Sequence, residues 1–343
     1  LRKNEILGLD IGSSAIKIVA LRKNGAGYSA TAAGIAEIAT SEADNSHQRT
    51  NTVNAIRECV ARTRTKTKLA VCGVSGPEVA VRAFEFPSLS GQEIAAAVML
   101  EASQVCPFRA EDSAVDYQLI PNGDDTTRGV LVAAMNTLIT KKIQLAKEAR
   151  LKCVLMDVDG LALLNCFKGL ANGHEEPEAS QTIAILNVGG SHTTLAIMDN
   201  NGWPFIRDMT YAGDDIVRQI AAENDTSAET VKGILSGDST AVDLELHDSL
   251  EKACQQLIAD VAGTLRYYAA QTKASNVEKL FVCGGFALAR GFIELLNSRL
   301  GTESVLWNPF DRMCCSANRQ CEDTLAKTGP AMAIATGLAM RSV

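Results

Sequence analysis

The sequence predicts an α/β protein built twice on one plan, with a small α/β unit inserted between the copies. Two observations carry this. Residues 5–25 (EILGLDIGSSAIKIVALRKNG) align without gaps on residues 182–202 (TIAILNVGGSHTTLAIMDNNG). Ile6, Leu9, Gly12, Ser14, Asn24 and Gly25 meet Ile183, Leu186, Gly189, Ser191, Asn201 and Gly202. The copies start about half a chain apart, which suits a duplicated architecture rather than a short-period solenoid. Between them, residues 84–165 hold two helical and two strand patterns, enough for a separate small unit.

Each copy reads as strand, tight polar turn, strand. Residues 6–9 are apolar, 10–14 form the turn, and Ile16, Ile18 and Ala20 alternate along the return strand. The second copy repeats this over 183–186, 187–191 and 193–198. In the insertion, 92–105 is helical, with Ile94, Val98 and Val105 apolar amid alanines. Residues 114–120 and 129–136 are strands flanking a polar loop of Gly and Asp. A second amphipathic helix covers 138–151, with Ile139, Ile143, Ala146 and Ala149 on one face. Later, 277–283 is a strand that runs through Gly284, Gly285 and Phe286 into a helix over 288–300. Ser227 is an N-cap for a helix carrying Glu229 and Lys232, whose spacing alone makes them a surface ion pair.

The repeated turn has a definite chemistry. Gly12, Gly189 and Gly190 let backbone N–H groups approach phosphate oxygens, and Ser13, Ser14 and Ser191 add hydroxyl donors. Asp10 can hold a hydrated Mg2+, and Lys17 can return its ammonium to the β- and γ-phosphates. One copy would pass for an ordinary hairpin; two copies favour phosphate binding. The turn joins two strands, unlike the Walker loop, and G-x-G-x-x-G is absent, which disfavours a dinucleotide fold.

The formal net charge of −7 argues against a general nucleic-acid binder, which needs clustered Lys and Arg. The densest basic stretch, 62–68, reads as a solvated helix end and loop. Cys314, Cys315 and Cys321 cluster, but neither they nor His47, His174, His192 and His247 show zinc-type spacing. Free thiols in such a chain point to a reducing compartment. No stretch approaches the ~18–20 apolar residues of a membrane span, and residues 1–10 read as a charged strand rather than a leader. The expectation is a cytoplasmic protein with no nucleic-acid partner and no direct membrane insertion.

In order along the chain, GLDIGSSAIK (8–17), MDVDGLALLN (156–165), NVGGSHTTLAI (187–197), FVCGGFALARGF (281–292) and GPAMAIATGLAM (329–340) resemble five motifs of the actin-like ATPase superfamily. These are the first phosphate loop, first connecting helix, second phosphate loop, adenosine motif and second connecting helix. Over nearly its whole length the chain resembles the PilM family of type IV pilus assembly proteins, which is related to FtsA. The most specific stretches are 84–120 and 130–165, with a Phe-Pro lead-in, a helix ending in Cys-Pro-Phe and a Val-Asp-Tyr-Gln strand. Phe205 to Asp208 followed by Ala212-Gly213-Asp214-Asp215-Ile216 is also similar to that family.

The resemblance implies a duplicated actin-like (ribonuclease H-like) ATPase fold. Domain 1A would cover 1–76, an inserted subdomain 77–152, a return to 1A 153–179, and domain 2 180–343 with a small subdomain 2B at about 215–260. It implies ATP held by Asp10, Gly12, Ser13, Ser14, Lys17, Asn187, Gly189, Gly190, Ser191, Gly213, Glu229, Lys232, Gly284, Gly285 and Phe286. Asp10 would hold Mg2+ through water, with Asp159 as a second metal carboxylate and the candidate catalytic residue. The implied partner is the cytoplasmic tail of a PilN-like membrane protein, bound in a groove between the first domain and the insertion. Through it the chain would be recruited to the inner-membrane face, alongside other inner-membrane complex and motor components.

Two positions depart from the superfamily pattern. Asn187 stands where the second phosphate loop usually has Asp, and Asp159 where chaperone-type members and FtsA carry Glu. A neutral amide gives less support to Mg2+ and an attacking water, and a shorter carboxylate reaches less far. The expectation is tight ATP binding with at most slow hydrolysis. The alternatives are an FtsA-like filament-forming division protein and a small-molecule kinase. The first would need a basic amphipathic helix beyond the second connecting helix, where this sequence ends at Val343. The second would need a positioned Asp base that no motif identifies.

Overall fold

A computed structural model of the chain describes residues 5–25, 27–39, 45–121, 126–171, 182–237, 247–272, 277–311, 313–315 and 319–341. The first half opens with an antiparallel meander of β1 (Leu7–Ile11), β2 (Ala15–Asn24) and β3 (Gly27–Glu37). Helix α1 (Asn45–Thr63) leads to β4 (Leu69–Val74), parallel to β1. The chain then departs into β5 (Val79–Pro87), α2 (Gly91–Val105), β6 (Ser113–Leu119) and β7 (Thr126–Met135). It returns through α3 (Asn136–Glu148) to β8 (Lys152–Val158), parallel to β4.

The second half repeats the plan. After α4 (Asp159–Ala171), a meander of β9 (Ile183–Val188), β10 (Thr193–Met198) and β11 (Pro204–Met209) leads to α5 (Gly213–Glu223), α6 (Ala228–Ser236) and α7 (His247–Thr272). Strand β12 (Lys279–Cys283) lies parallel to β9 as β4 does to β1, followed by α8 (Phe292–Arg299) and β13 (Glu303–Leu306). The short β14 (Cys314–Cys315), α9 (Arg319–Thr328) and α10 (Ala333–Ala339) complete the described elements. The sheets run β14-β3-β2-β1-β4-β8, β11-β10-β9-β12-β13 and, in the insertion, β5-β7-β6.

Burial follows the patterns that predict these elements. Leu7, Leu9, Ile16 and Ile18 are fully buried with Ile56 and Cys59 of α1 and with Leu145 and Ala146 of α3. The helix read at 138–151 thus packs on the six-stranded sheet. The insertion sheet is covered by α2, which packs Ile94, Val98 and Ala102 on Phe84 and Leu131. In the second half, Leu186 and Leu195 pack with Ile216, Leu257 and Phe292.

Helices α4 and α10 brace the halves. Helix α4 leaves β8 and packs on β10, while α10 follows the second half and packs on β1 and β2. Where they cross, Gly337 faces the Ala162 carbonyl so closely that a Cβ would overlap it, and Gly8 faces Ala335 the same way.

Some boundaries differ from the sequence reading. Asp10 and Asn187 are penultimate residues of β1 and β9 rather than turn residues, because each still pairs across its ladder, with Lys17 and Thr194. The helix expected over 288–300 begins only at Phe292, after a single 3-10 turn at Phe286–Leu288. Gly291 between them has φ +78, which interrupts an α-helix. Residues 1–4, the polar loop at 122–125, His174, Ser342 and Val343 lie outside the described residues.

Candidate functional site

Strand register builds the first part of the site. Asp10 and Lys17 stand directly opposite each other in the β1–β2 ladder, and Lys17 Nζ lies 3.1 Å from Asp10 Oδ2. Their side chains are only 9% and 14% exposed, so solvent screens this pair far less than a surface pair. The ammonium sits beneath the turn: a Cβ on Gly12 would come within 3.0 Å of Nζ.

Asp159 opens α4 and is buried. The Ser75 hydroxyl donates to its Oδ2 at 2.6 Å, while its Oδ1 is buried without a hydrogen-bond partner. A Cβ on Gly73 would overlap that Oδ1, so a larger residue there would displace the carboxylate. Burial first, then the neighbouring Asp10 charge, push the Asp159 carboxyl up to about 7; Lys142 and Ser75 oppose the rise and Asp208 adds to it. Lys142 Nζ in turn donates to the Ile11 carbonyl at 2.7 Å.

The second turn meets the first. A Cβ on Gly190 would lie 2.7 Å from both Ser13 Oγ and Asp214 Oδ2, and 2.8 Å from Ser14 Oγ. Helix α5 starts on this turn, with Gly213 N–H donating to Gly189 O (3.0 Å) and Asp214 N–H to Gly190 O (2.8 Å). Ser191 Oγ lies 2.8 Å from His192 Nδ1. Asn187 Oδ1 accepts a long 3.7 Å contact from the Cys283 thiol.

Beside the second turn stand α6 and the Gly-Gly turn. Ser227 caps α6, accepting the Thr230 N–H at 3.1 Å. Lys232 pairs with Asp214 at 3.4 Å rather than with Glu229, because α6 packs beside the start of α5 and offers a tertiary carboxylate. Gly284 has φ +96, and a Cβ there would overlap the Val188 backbone. Gly285 has open space where its Cβ would be. Phe286 is buried beneath Gly213 and edge-on to Phe292, ring centroids 5.0 Å apart.

A model of the family described as type IV pilus assembly protein PilM matches residues 8–343. The chain belongs to that family. Among solved structures, this PilM-family chain is similar to the PilM-PilN type IV pilus biogenesis complex, with a TM-score of 0.82 and 22% identity over 99% of this chain and 98% of that one. It is similar to the ethanolamine utilization protein EutJ from Carboxydothermus hydrogenoformans (TM-score 0.56, 13% identity, 100% and 91% covered). A diol dehydratase-reactivating factor in nucleotide-free form follows (0.55, 10%, 98% and 99%). These are likenesses of fold, and the fold is the duplicated actin-like (ribonuclease H-like) ATPase fold with a small inserted α/β subdomain. Among the described residues, no helix is long and apolar enough to cross a membrane.

The structure therefore brings Asp10, Gly12, Ser13, Ser14 and Lys17 together with Gly189, Gly190, Ser191 and Gly213, and Asp159 beside Asp10. Ser75, Lys142, Asp208 and Asp214 join them without having been singled out from sequence. Asp208 and Asp214 were legible only within a family-like strand and helix start, with no site role, and Ser75 and Lys142 carried no motif. Oxygen donors with one orphaned buried carboxylate oxygen suit a hard divalent cation.

Proposed function

We propose that this PilM-family protein is an ATP-binding scaffold of type IV pilus assembly that receives the cytoplasmic tail of a PilN-like membrane protein. The observation that carries the nucleotide part is the meeting of the two turns, Gly190 on Ser13 and Ser14, above the Asp10–Lys17 pair. Such a meeting offers hydroxyls and backbone N–H groups to phosphate oxygens from both sides. Glu229, Lys232 and the open side of Gly285 take the adenosine end. Asp10, through water, and Asp159 would hold Mg2+, which neutralises phosphate charge when bound. Hydrolysis is slow or negligible: Asn187 brings no charge, and Asp159 is tied to Ser75.

The partner part is supported by the family and by the likeness to the PilM-PilN complex. Met99 and Leu100 of α2, Leu119 of β6 and Ile143 of α3 are exposed apolar residues in or beside the insertion, surface that an apolar tail segment can cover. Recruitment to the inner-membrane face would follow from that tail.

Calorimetric titration with a synthetic PilN-like tail peptide, with and without Mg2+-ATP, tests the scaffold. Saturable one-to-one binding is expected, and no binding at high micromolar peptide would leave only the fold. Phosphate release reaching tens per second, within the ordinary enzyme range of roughly 1–1000 per second, would refute the slow-hydrolysis reading.

A further inference from the structure

The duplication shows what has changed between the copies. Position for position, Asp10 aligns with Asn187 and Lys17 with Thr194, and each pair faces across its hairpin. The first copy keeps an ion pair; the second has an amide opposite a hydroxyl. Its carboxylate comes from the next strand. Thr194 also lies opposite Asp208 of β11, and its hydroxyl donates to Asp208 Oδ1 at 2.6 Å. The other oxygen reaches the first half, where Asp208 Oδ2 accepts the Gly76 backbone N–H at 2.7 Å.

Gly76 lies in the turn from β4 to β5, and that turn is shaped to be held. Its φ of +98 is in the region that favours glycine, and a Cβ would come 3.2 Å from His192 Nε2. One residue earlier, Ser75 donates to Asp159. Three residues later, Val79 starts β5 and the insertion, its N–H donating to Gly76 O at 3.0 Å. Ile206, two residues before Asp208 on the same face of β11, packs with Val74, Val79, Val81 and Val158 at the insertion's root. An apolar and a charged contact thus stand side by side where the second half meets this turn.

We infer that Asp208 is the positioning residue through which the second half sets the Ser75–Asp159 pair of the first and ties the cleft to the root of the insertion. The role at Asp159 rests on the nucleotide reading above; the bridge to Gly76 does not.

The test uses the full chain with Asp208→Ala, Asp208→Asn, Ser75→Ala and the Asp208→Ala/Ser75→Ala double variant. Amide exchange over residues 74–79 is followed by mass spectrometry without nucleotide, and ATP affinity is measured with and without Mg2+. Losing a hydrogen bond to a charged acceptor predicts exchange about tenfold faster at Gly76 in Asp208→Ala and Mg2+-ATP binding about tenfold weaker, with Mg2+-free binding changed less than about twofold. Asp208→Asn keeps an oxygen in reach and restores most of both. The double variant is no more than about twofold weaker than the worse single one, because both break one chain of contacts.

Unchanged exchange over 74–79 in Asp208→Ala overturns the bridge, and multiplicative losses in the double variant overturn the route through Ser75. A wild type that binds no ATP removes the role at Asp159, while exchange still decides the bridge. Should Asp208→Ala not fold, Thr194→Val frees the carboxylate from its orienting hydroxyl: faster exchange at Gly76 supports the bridge and unchanged exchange overturns it.

Discussion

Replacing Asp159 by Asn should make the protein more stable in alkaline solution while impairing the site. Asp159 is buried beside Asp10, with its carboxyl pushed up to about 7, against ~3.9 for an ordinary Asp. Between about pH 4 and 7 the folded chain therefore holds a proton that the unfolded chain releases. Stability contributed by this group falls as pH rises through that window, and the loss is complete above about 7. At ~1.4 kcal/mol per pH decade the full loss is about 4 kcal/mol, of which about 2 kcal/mol falls between pH 5.5 and 8.5. An amide cannot ionise, yet its oxygen can still accept the Ser75 hydroxyl. Urea unfolding of both proteins at pH 5.5 and 8.5 should show the variant gaining about 2 kcal/mol on wild type across that interval. The same variant should bind ATP equally with and without Mg2+. An identical wild-type–variant difference at both pH values would refute the reasoning.

Three further outcomes are expected. Gly337→Ala forces the α4–α10 crossing apart, costing about 2 kcal/mol and lowering the melting temperature by roughly 3 °C in calorimetry; Gly301→Ala, with open space at its Cβ, should leave it unchanged. Lys17→Met strips the cation from the nearly buried Asp10, and urea unfolding at neutral pH should register a loss of about 3 kcal/mol. Cys153 is half-buried, and its hydrogen bond from the Cys72 thiol brings it down to about 7, whereas burial pushes Cys254 up to about 12. Iodoacetamide at pH 7.5 should alkylate Cys153 well before Cys254, and equal rates by mass spectrometry would count against this.

Much of this was legible in the sequence because it depends on local pattern. The two meanders show as alternating apolar residues around Gly-Ser turns, and the two connecting helices show through the resemblance of 156–165 and 329–340 to the superfamily's motifs. What escaped depends on register and topology. Lys17 looked free to reach a ligand until the ladder placed it opposite Asp10. Lys232 found Asp214 rather than Glu229, since a carboxylate from another helix outcompetes an i, i+3 neighbour whose side chain points to solvent. Ser75 follows β4 and Asp208 lies near the end of β11, separated from Asp159 and Gly76 by long stretches of chain, and only the folded sheets bring them together. The late start of α8 turned on one glycine's backbone angle, which composition does not reveal.

The crossing at Gly337 and Ala162 also has a mechanical side. Backbone touching backbone fixes the separation there, and Leu163 and Leu164 of α4 are buried in one cluster with Ile334 and Leu338 of α10 beside it. Each helix lodges on the sheet of the opposite half, while the Gly190–Ser13 contact and the Asp208–Gly76 bridge join the halves a second time. A rotation between the halves would therefore load the Gly190–Ser13 and Asp208–Gly76 contacts, and through the β4–β5 turn the insertion that follows it.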